Sequence, residues 1–435
     1  MYLKKLLFQN SFFDILFIGD SMNNVLKKII SFIFFALIII CFVIFLNWFL
    51  NSRDKKQSNN NQINNEQSKE EVKTYLNNIT YNQNIDKDLE NKIIEYMDLY
   101  YKSMKELKEY DMTYLFSNEE QAYINQTAVS LLVEIRKLKP NDLTLHSASY
   151  DIEIKSVTRI NDKIVVVVNE NNHLRFNFMK DIESRVYNIE NEFTFKLING
   201  EYKIEKYNKV QDFFVMVTTK YNNGGKTKLD EIKSNYLSLI KQKESQLSND
   251  YNDFLNNKGI NKKNCDHNYD RNKAYDYAIK WVSNRSEKWP KYDSNCQNYA
   301  SQVVYNGGIP MDYFGNKSLQ WKSYSASYNE SETPNGLVYT WTYVPYFYDY
   351  VKNNTGYGLC GDVDVNLYYA EAGDIIHVGI NNPAKHALVV IGDYKKDGKT
   401  VDILVNSNTV DLENYPMSAY VYPYTRLIKI YGWNE

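Results

Sequence analysis

The apolar segment Ile29–Leu50 constrains the fold of this chain more than any other feature of its sequence. It reads IISFIFFALIIICFVIFLNWFL, and Asn47, near one end, is its only strongly polar residue. A helix that crosses a bilayer needs about 20 consecutive apolar residues, so the segment predicts a transmembrane helix. No A-x-A cleavage motif follows it, which favours an uncleaved anchor over a removed signal peptide. We therefore expect a cytoplasmic N-terminus at 1–28, a single-pass membrane anchor at 29–50, and the bulk of the chain outside the cytoplasm.

Residues 51–84 are mostly polar, in contrast to the anchor before them. They are rich in Asn, Gln, Lys and Glu and include the run SNNNQINNEQSKEE. A segment of this composition buries too little apolar surface to fold, so it predicts a disordered spacer. Such a spacer would hold the rest of the chain away from the membrane surface.

Charge and cysteine content exclude several classes of protein. The formal net charge is −2, and no basic stripe typical of a nucleic-acid-binding surface is present, so no nucleic-acid partner is expected. The cysteines Cys41, Cys265, Cys296 and Cys360 form neither a CxxC pair nor a zinc-binding spacing. The chain is therefore expected to be neither zinc-bound nor stapled by disulfides, although Cys265 and Cys360 could pair.

Residues 85–220 combine a helical first part with a strand-rich second part. Apolar residues recur at helical spacing at first, and after Thr144 the period changes to two, which is typical of strands. Five strand-like runs follow, namely Ser147–Val157, Lys163–Asn169, His173–Asp181, Arg185–Leu197 and Tyr202–Phe214. Helices followed by such a meander, with turns at Asn161-Asp162 and Asn199-Gly200, predict a cystatin-like α+β half-barrel.

A connecting segment and a last domain follow. Residues 221–268 predict a polar helix with one apolar edge, from about Lys228 to Phe254, and then a linker. The last domain, 269–435, opens with a helix capped by Asp270. Its strands are predicted at Asp374–Ile380, Ala387–Asp393, Val401–Asn408 and Arg426–Tyr431. This layout, helices first and an antiparallel sheet after them, again indicates an α+β domain.

The stretch 309–372 within this last domain has no regular period and is rich in Tyr, Trp, Gly and Asn. A compact domain rarely contains so long an irregular segment without a functional reason. We therefore expect Trp321 and Trp341 to help build one side of a cleft. Packing in the core is the alternative for each of them.

Cys296 is predicted at the start of a helix. Asp293 or Ser294 can cap this helix, and a Gly-Gly pair can end it. A thiol at a helix N-terminus lies at the positive end of the peptide dipoles, which favours the reactive thiolate. His386 follows in a strand-like run, so the chain contains a nucleophile and a base for thiol catalysis. His377, on a strand of its own, is the alternative base.

Other hydrolase chemistries lack their motifs in this chain. The last domain holds three histidines, His267, His377 and His386, without HExxH spacing, so it shows no zinc amidase signature. Neither a GxSxG elbow nor a phosphate-binding Walker loop is present. No metal and no other cofactor is therefore expected.

Five blocks of the last domain resemble a known family. In order along the chain they read YDRNKAYDYAIKW, SNCQNYASQVVYNGGIPMD, AGDIIHVG, KHALVVIG and ILVNSNTVDLENYPMSAY. They are similar, over about residues 269–432, to the bacterial "putative amidase" domain family, which is grouped with papain-like cysteine hydrolases and CHAP-type cell-wall peptidases. The resemblance implies a papain-like fold, with helices before an antiparallel sheet, and hydrolysis of an amide bond.

The resemblance also implies roles for single residues. Cys296 lies at the family's nucleophile position and His386 at its base position. A third polar group, on the strand after the base, orients the imidazole in this family. This chain has Asn408 where typical members have histidine, and Asn406 is the alternative; an asparagine can accept the imidazole N–H. The candidate substrate contacts are Asp293, which is first a helix cap, Trp321 and Trp341.

The sequence thus predicts a membrane-anchored, extracytoplasmic thiol hydrolase. Its expected substrate is peptidoglycan, cleaved either at the muramoyl–L-alanine amide or within the stem peptide. Two alternatives stay open: a non-catalytic cell-wall-binding or sensor protein, and a cysteine peptidase that acts on proteins. The bond selected depends on the shape of the cleft, which sequence motifs do not specify.

Overall fold

The structure, a computed structural model, describes residues 74–256, 259–260, 262–315, 319–323 and 338–435. They fall within one unit, Glu71–Glu435. The predicted anchor at 29–50 lies outside the described residues. Among the helices that are described, none combines the length and the apolar character needed to cross a membrane.

Helices and long strands make up the first half of the described chain. In order, its elements are β1 (Leu76–Tyr81), α1 (Lys87–Glu106), α2 (Glu119–Lys137), β2 (Leu145–Ile160), β3 (Lys163–Phe176), β4 (Ser184–Ile198), β5 (Glu201–Lys209), α3 (Asp212–Asn222) and α4 (Gly225–Leu255). Side chains cap the first two helices, since Asp86 accepts from the backbone of α1 and Asn118 from that of α2. Strand β1 lies within the predicted spacer 51–84, so folded structure begins before residue 85.

The strand predictions for this half are confirmed in most places and wrong in two. The predicted turns at Asn161-Asp162 and Asn199-Gly200 are present, and both asparagines adopt positive φ. The two runs predicted within 163–181 are one strand, β3, followed by a single 3₁₀ turn. The last predicted strand ends at Lys209, and α3 follows it. Phe213, Phe214 and Val217 are all buried, a spacing that fits one face of a helix.

The second half holds the remaining elements. They are β6 (His267–Asn268), α5 (Arg271–Lys280), α6 (Cys296–Asn306), α7 (Tyr339–Thr342), α8 (Val344–Asn353), β7 (Gly358–Val365), β8 (Ile375–Gly379), β9 (His386–Lys396), β10 (Lys399–Ser407), β11 (Asp411–Pro416) and β12 (Tyr424–Asn434). Asp270 caps α5 as predicted, by accepting from Lys273 N. The described part of the irregular stretch 309–372 contains α7, α8 and β7, which the sequence did not predict.

One mixed sheet joins the strands of both halves. Its order is β1-β2-β3-β4-β11-β10-β9-β8-β12-β6, with β5 on β4 and β7 on β12. Strands β1 and β2 are parallel, and the other pairs are antiparallel. The halves meet where Leu412 of β11 pairs with Val186 of β4. The predicted α+β class is thus confirmed, and the sheet is continuous across the proposed domains at 85–220 and 269–435.

A disulfide and a close helix contact fix the start of the second half. Cys265 and Cys360 form a disulfide, contrary to the expectation that the chain is unstapled, and it ties the linker to β7. Gly307, which ends α6 as predicted, lies against the ring of Tyr269, where a Cβ would come within 2.1 Å of Cε2. Only glycine allows this approach, so the C-terminus of α6 is set directly against the segment that leads into α5.

Candidate active site

Cys296 is the first residue of α6 and is 7% exposed. The predicted capping by Asp293 or Ser294 is wrong, since Asn295 occupies the N-cap position and its side chain makes no capping hydrogen bond. The Asn295 carboxamide instead donates to Asn408 Oδ1 (2.6 Å) and accepts from Asn298 (2.9 Å). The first N–H groups of a helix have no acceptor within it, so Cys296 lies where partial positive charge favours a thiolate.

His386 is the first residue of β9, between β8 and β10, and is 5% exposed. Its Nε2 lies 3.0 Å from the hydroxyl oxygen of Ser407, at the end of β10. The imidazole also stacks on the ring of Tyr420, with centroids 6.2 Å apart and an interplanar angle of 19°. The ring is therefore held on one edge by a hydroxyl and on one face by an aromatic side chain.

Thr409 links the start of α6 to the surroundings of His386. Its Oγ1 accepts from Asn295 N (2.7 Å) and donates to the carbonyl of Asp293 (3.1 Å). Its own carbonyl oxygen lies 3.4 Å from Ser407 Oγ, and Ser407 contacts the imidazole. Hydrogen bonds through Thr409 and Ser407 thus link the residue before Cys296 to the imidazole of His386.

The backbone of Thr409 is strained. Its φ is +84°, a value that β-branched residues rarely adopt and that costs about 1–3 kcal/mol. The conformation is maintained because Thr409 N donates to Asp411 Oδ1 (2.9 Å). Asp411 is in turn bound by both terminal nitrogens of Arg285, at 2.8 and 3.2 Å, and by Asn188 of β4 (3.0 Å).

The two predicted orienting residues hold other partners. Asn408 accepts from Asn295 and donates to the carbonyls of Trp281 and Val282, both at 3.0 Å. Asn406 Oδ1 accepts from the backbone of Asn414 (2.9 Å), and its Nδ2 is buried with no partner among the described residues. Neither carboxamide is hydrogen-bonded to His386.

Ser407 is the residue that sequence reasoning missed. Side chains alternate between the two faces of a strand, and Asn406 pairs with Val389. Ser407 therefore shares the face of His386, while Asn406 lies on the opposite face and Asn408 lies in the turn after β10. The alternation is visible in the sequence, but the register between β9 and β10 is needed to use it.

His377, the alternative base, is fully buried. Its Nε2 lies 2.9 Å from Gln297 Oε1, next to Cys296 in sequence, and its Nδ1 is buried without a partner in the described structure. Burial, together with the positive charge of Arg426 and a smaller effect of His386, holds the pKa of His377 well below its usual range. His377 pairs with Ala387 and so lies on the sheet face opposite His386. It is a neutral imidazole bonded to the side chain of Gln297, the residue after Cys296.

Trp321 and Trp341 are fully buried, which places them in the core and not on an accessible cleft wall. Their rings lie 4.7 Å apart. Trp341 Nε1 donates to Asn298 Oδ1 (2.9 Å) and Trp321 Nε1 to Ser301 Oγ (3.3 Å), so both indoles hold α6. Asp293, by contrast, is exposed beside Cys296 and remains a candidate for substrate contact. In the part of the chain that is described, no group of three His, Cys, Asp or Glu residues is arranged to hold a metal.

Comparison with family models gives one match in this region. Residues 268–433 match a family described as "putative amidase domain", and this range contains α5, α6 and every residue of the site except Asn188. Searches among curated proteins and among solved structures found no match. The family description implies a hydrolase that acts on amide bonds. The resemblance inferred from the five sequence blocks is confirmed, since residues 268–433 match the model of the putative amidase domain family.

Proposed function

We propose that this protein is a cysteine-dependent amide hydrolase with Cys296 as nucleophile and His386 as base. The observation that carries the proposal is the hydrogen-bonded chain from Asn295 through Thr409 and Ser407 to His386. It supports a buried site in which the first residue of a helix and an oriented imidazole act together. The family match agrees with amide hydrolysis but does not identify the nucleophile.

The proposed reaction has two steps. Cys296 transfers its proton to His386, and the thiolate attacks the amide carbonyl carbon to form a C–S bond. The backbone N–H groups at the start of α6 stabilise the negative oxygen of the tetrahedral intermediate. As the C–N bond breaks, His386 returns the proton to the departing amine. Water, deprotonated by His386, then cleaves the thioester, which releases the acid and restores the thiol.

We further propose that the reaction takes place outside the cytoplasm, on peptidoglycan. The Cys265–Cys360 disulfide supports this location, because such bonds persist in oxidising compartments and are rare in the cytosol. The apolar segment 29–50 would anchor the protein in the membrane and the spacer would extend it toward the wall. The proposed bonds are the muramoyl–L-alanine amide or an amide of the stem peptide.

The full chain, purified in detergent, should be incubated with isolated cell-wall sacculi, and the released fragments read by mass spectrometry. We expect fragments from the wild type and none from Cys296→Ala or His386→Ala. Newly formed termini would identify the bond: a lactyl carboxylate with an N-terminal alanine for the muramoyl amide, and new termini inside the stem for an endopeptidase.

His377→Ala is the matched control, since it removes a second buried imidazole from the neighbouring strand. We expect it to retain activity if it folds. Loss of activity in His377→Ala together with full activity in His386→Ala would give the base role to His377. Release that is unchanged in Cys296→Ala would rule out thiol catalysis. A reactive Cys296 thiol without release of wall fragments would favour a protein substrate. An unreactive thiol without release of fragments would favour a binding role.

A further inference from the structure

We infer that Ser407 is the positioning residue of the base, in the role that the family resemblance gives to Asn408. The inference rests on the proposed function, since it concerns the orientation of His386. Ser407 Oγ lies 3.0 Å from His386 Nε2, and Ser407 is fully buried. A buried hydrogen bond of this length holds the imidazole by its Nε2 and so restricts the orientation of the ring.

The two asparagines do not compete for this role. Asn408 uses its carboxamide on Asn295 and on the backbone carbonyls of 281 and 282, so it joins two loops. Asn406 projects from the opposite face of β10, where it holds Asn414 N. The position that holds a histidine in typical members has thus become structural, and the adjacent hydroxyl contacts the base.

The hydroxyl group of Ser407 can both donate and accept a hydrogen bond, which suits a partner of an imidazole that becomes protonated. When His386 accepts the thiol proton, both ring nitrogens are N–H donors, and Nε2 then needs an acceptor. The Ser407 oxygen can accept because its own proton can be directed to the carbonyl of Ala387 or of Thr409, each 3.4 Å away. Without the hydroxyl, an imidazolium would form with an unsatisfied N–H in a buried site, which disfavours the thiolate–imidazolium pair.

The strained residue Thr409 supplies one of the carbonyl groups near the Ser407 hydroxyl. Its positive φ directs the Thr409 carbonyl toward Ser407 while its side chain holds the backbone before Cys296. One residue therefore connects the acceptor of the Ser407 proton with the start of α6. This dual use gives a reason for a conformation that is otherwise unfavourable.

The test measures alkylation of Cys296 by iodoacetamide in the full chain from pH 5 to 9, with the modified peptide quantified by mass spectrometry. We expect Ser407→Ala to lower the rate at pH 6 by about 10- to 100-fold, taking as a guide the range found for residues that orient metal-binding imidazoles. The difference should vanish at high pH, where the thiol ionises without help. Ser407→Thr, which keeps the hydroxyl, should stay within a few-fold of wild type.

Ser184→Ala is the matched control, because Ser184 is also a fully buried strand serine whose hydroxyl donates to a carbonyl, that of Asn414. It should leave the alkylation profile unchanged. A Ser407→Ala profile that superimposes on the wild type, or an equal loss in Ser184→Ala, would overturn the assignment of Ser407 alone. Wild-type Cys296 that reacts at pH 6 no faster than a cysteine in a short peptide would instead overturn the proposed function, and the Ser407 assignment with it.

Discussion

Replacement of Asn408 by alanine separates a structural role for this residue from a catalytic one. The carboxamide makes three close hydrogen bonds: it accepts from Asn295 at 2.6 Å and donates to the carbonyls of Trp281 and Val282 at 3.0 Å each. Asn408 is fully buried, so water cannot replace its hydrogen bonds when the side chain is removed, and the partner groups are left unsatisfied. A buried group left unsatisfied costs about 1–3 kcal/mol. We therefore expect Asn408→Ala to lower the free energy of unfolding by about 3–5 kcal/mol.

Urea unfolding of the full chain, followed by tryptophan fluorescence, measures this loss as a fall in the midpoint concentration. Asn284→Ala is the matched control, since its exposed side chain lies on the 281–284 loop that accepts the Asn408 hydrogen bonds, and it should change stability by at most about 0.5 kcal/mol. The structural reasoning would be refuted if Asn408→Ala unfolded within about 1 kcal/mol of the wild type while Cys296 lost its reactivity. That result would mean that Asn408 acts on the base.

Two further predictions concern buried charges. Lys209 and Glu170 form a buried ion pair (3.0 Å). Lys209→Met should leave the carboxylate without its counter-charge and lower the free energy of unfolding in urea by about 3–5 kcal/mol. Lys163→Met, which removes a surface ion pair, should lower it by about 1 kcal/mol or less. A similar small loss in both variants would contradict this. Burial raises the pKa of Asp402 to about 6, so the folded state binds its proton more tightly than the unfolded chain does. Stability should therefore fall by about 2 kcal/mol between pH 4 and 7, and Asp402→Asn should lack this part of the pH dependence; equal slopes for both proteins would refute it.

Local sequence signals predicted the features that depend on neighbouring residues. The cap of α5 follows from the Asp270 side chain, which bonds the backbone of its own helix, and the paired turns follow from residues that tolerate positive φ, such as Asn161. These predictions hold because no distant contact competes with the local preference.

The missed features depend on distant contacts. Asn408 is structural because the loop at 281–284, more than a hundred positions earlier, presents carbonyl groups to it. Strand β11 forms because β4 offers an edge, and Trp321 and Trp341 are buried because α6 passes beside them. Composition marked both tryptophans as unusual but did not indicate whether they faced a cleft or the core.

The first half of the described chain takes part in the candidate site, although the family match covers only 268–433. Strand β11 begins just after Ser407 and the turn that contains Thr409, and it pairs with strand β4. Asn188 of β4 binds Asp411, which in turn accepts the N–H of the strained Thr409. The region 85–220 therefore helps to hold Thr409, two residues after Ser407, which we propose as the positioning residue. These contacts make both halves part of one structural unit around the candidate site.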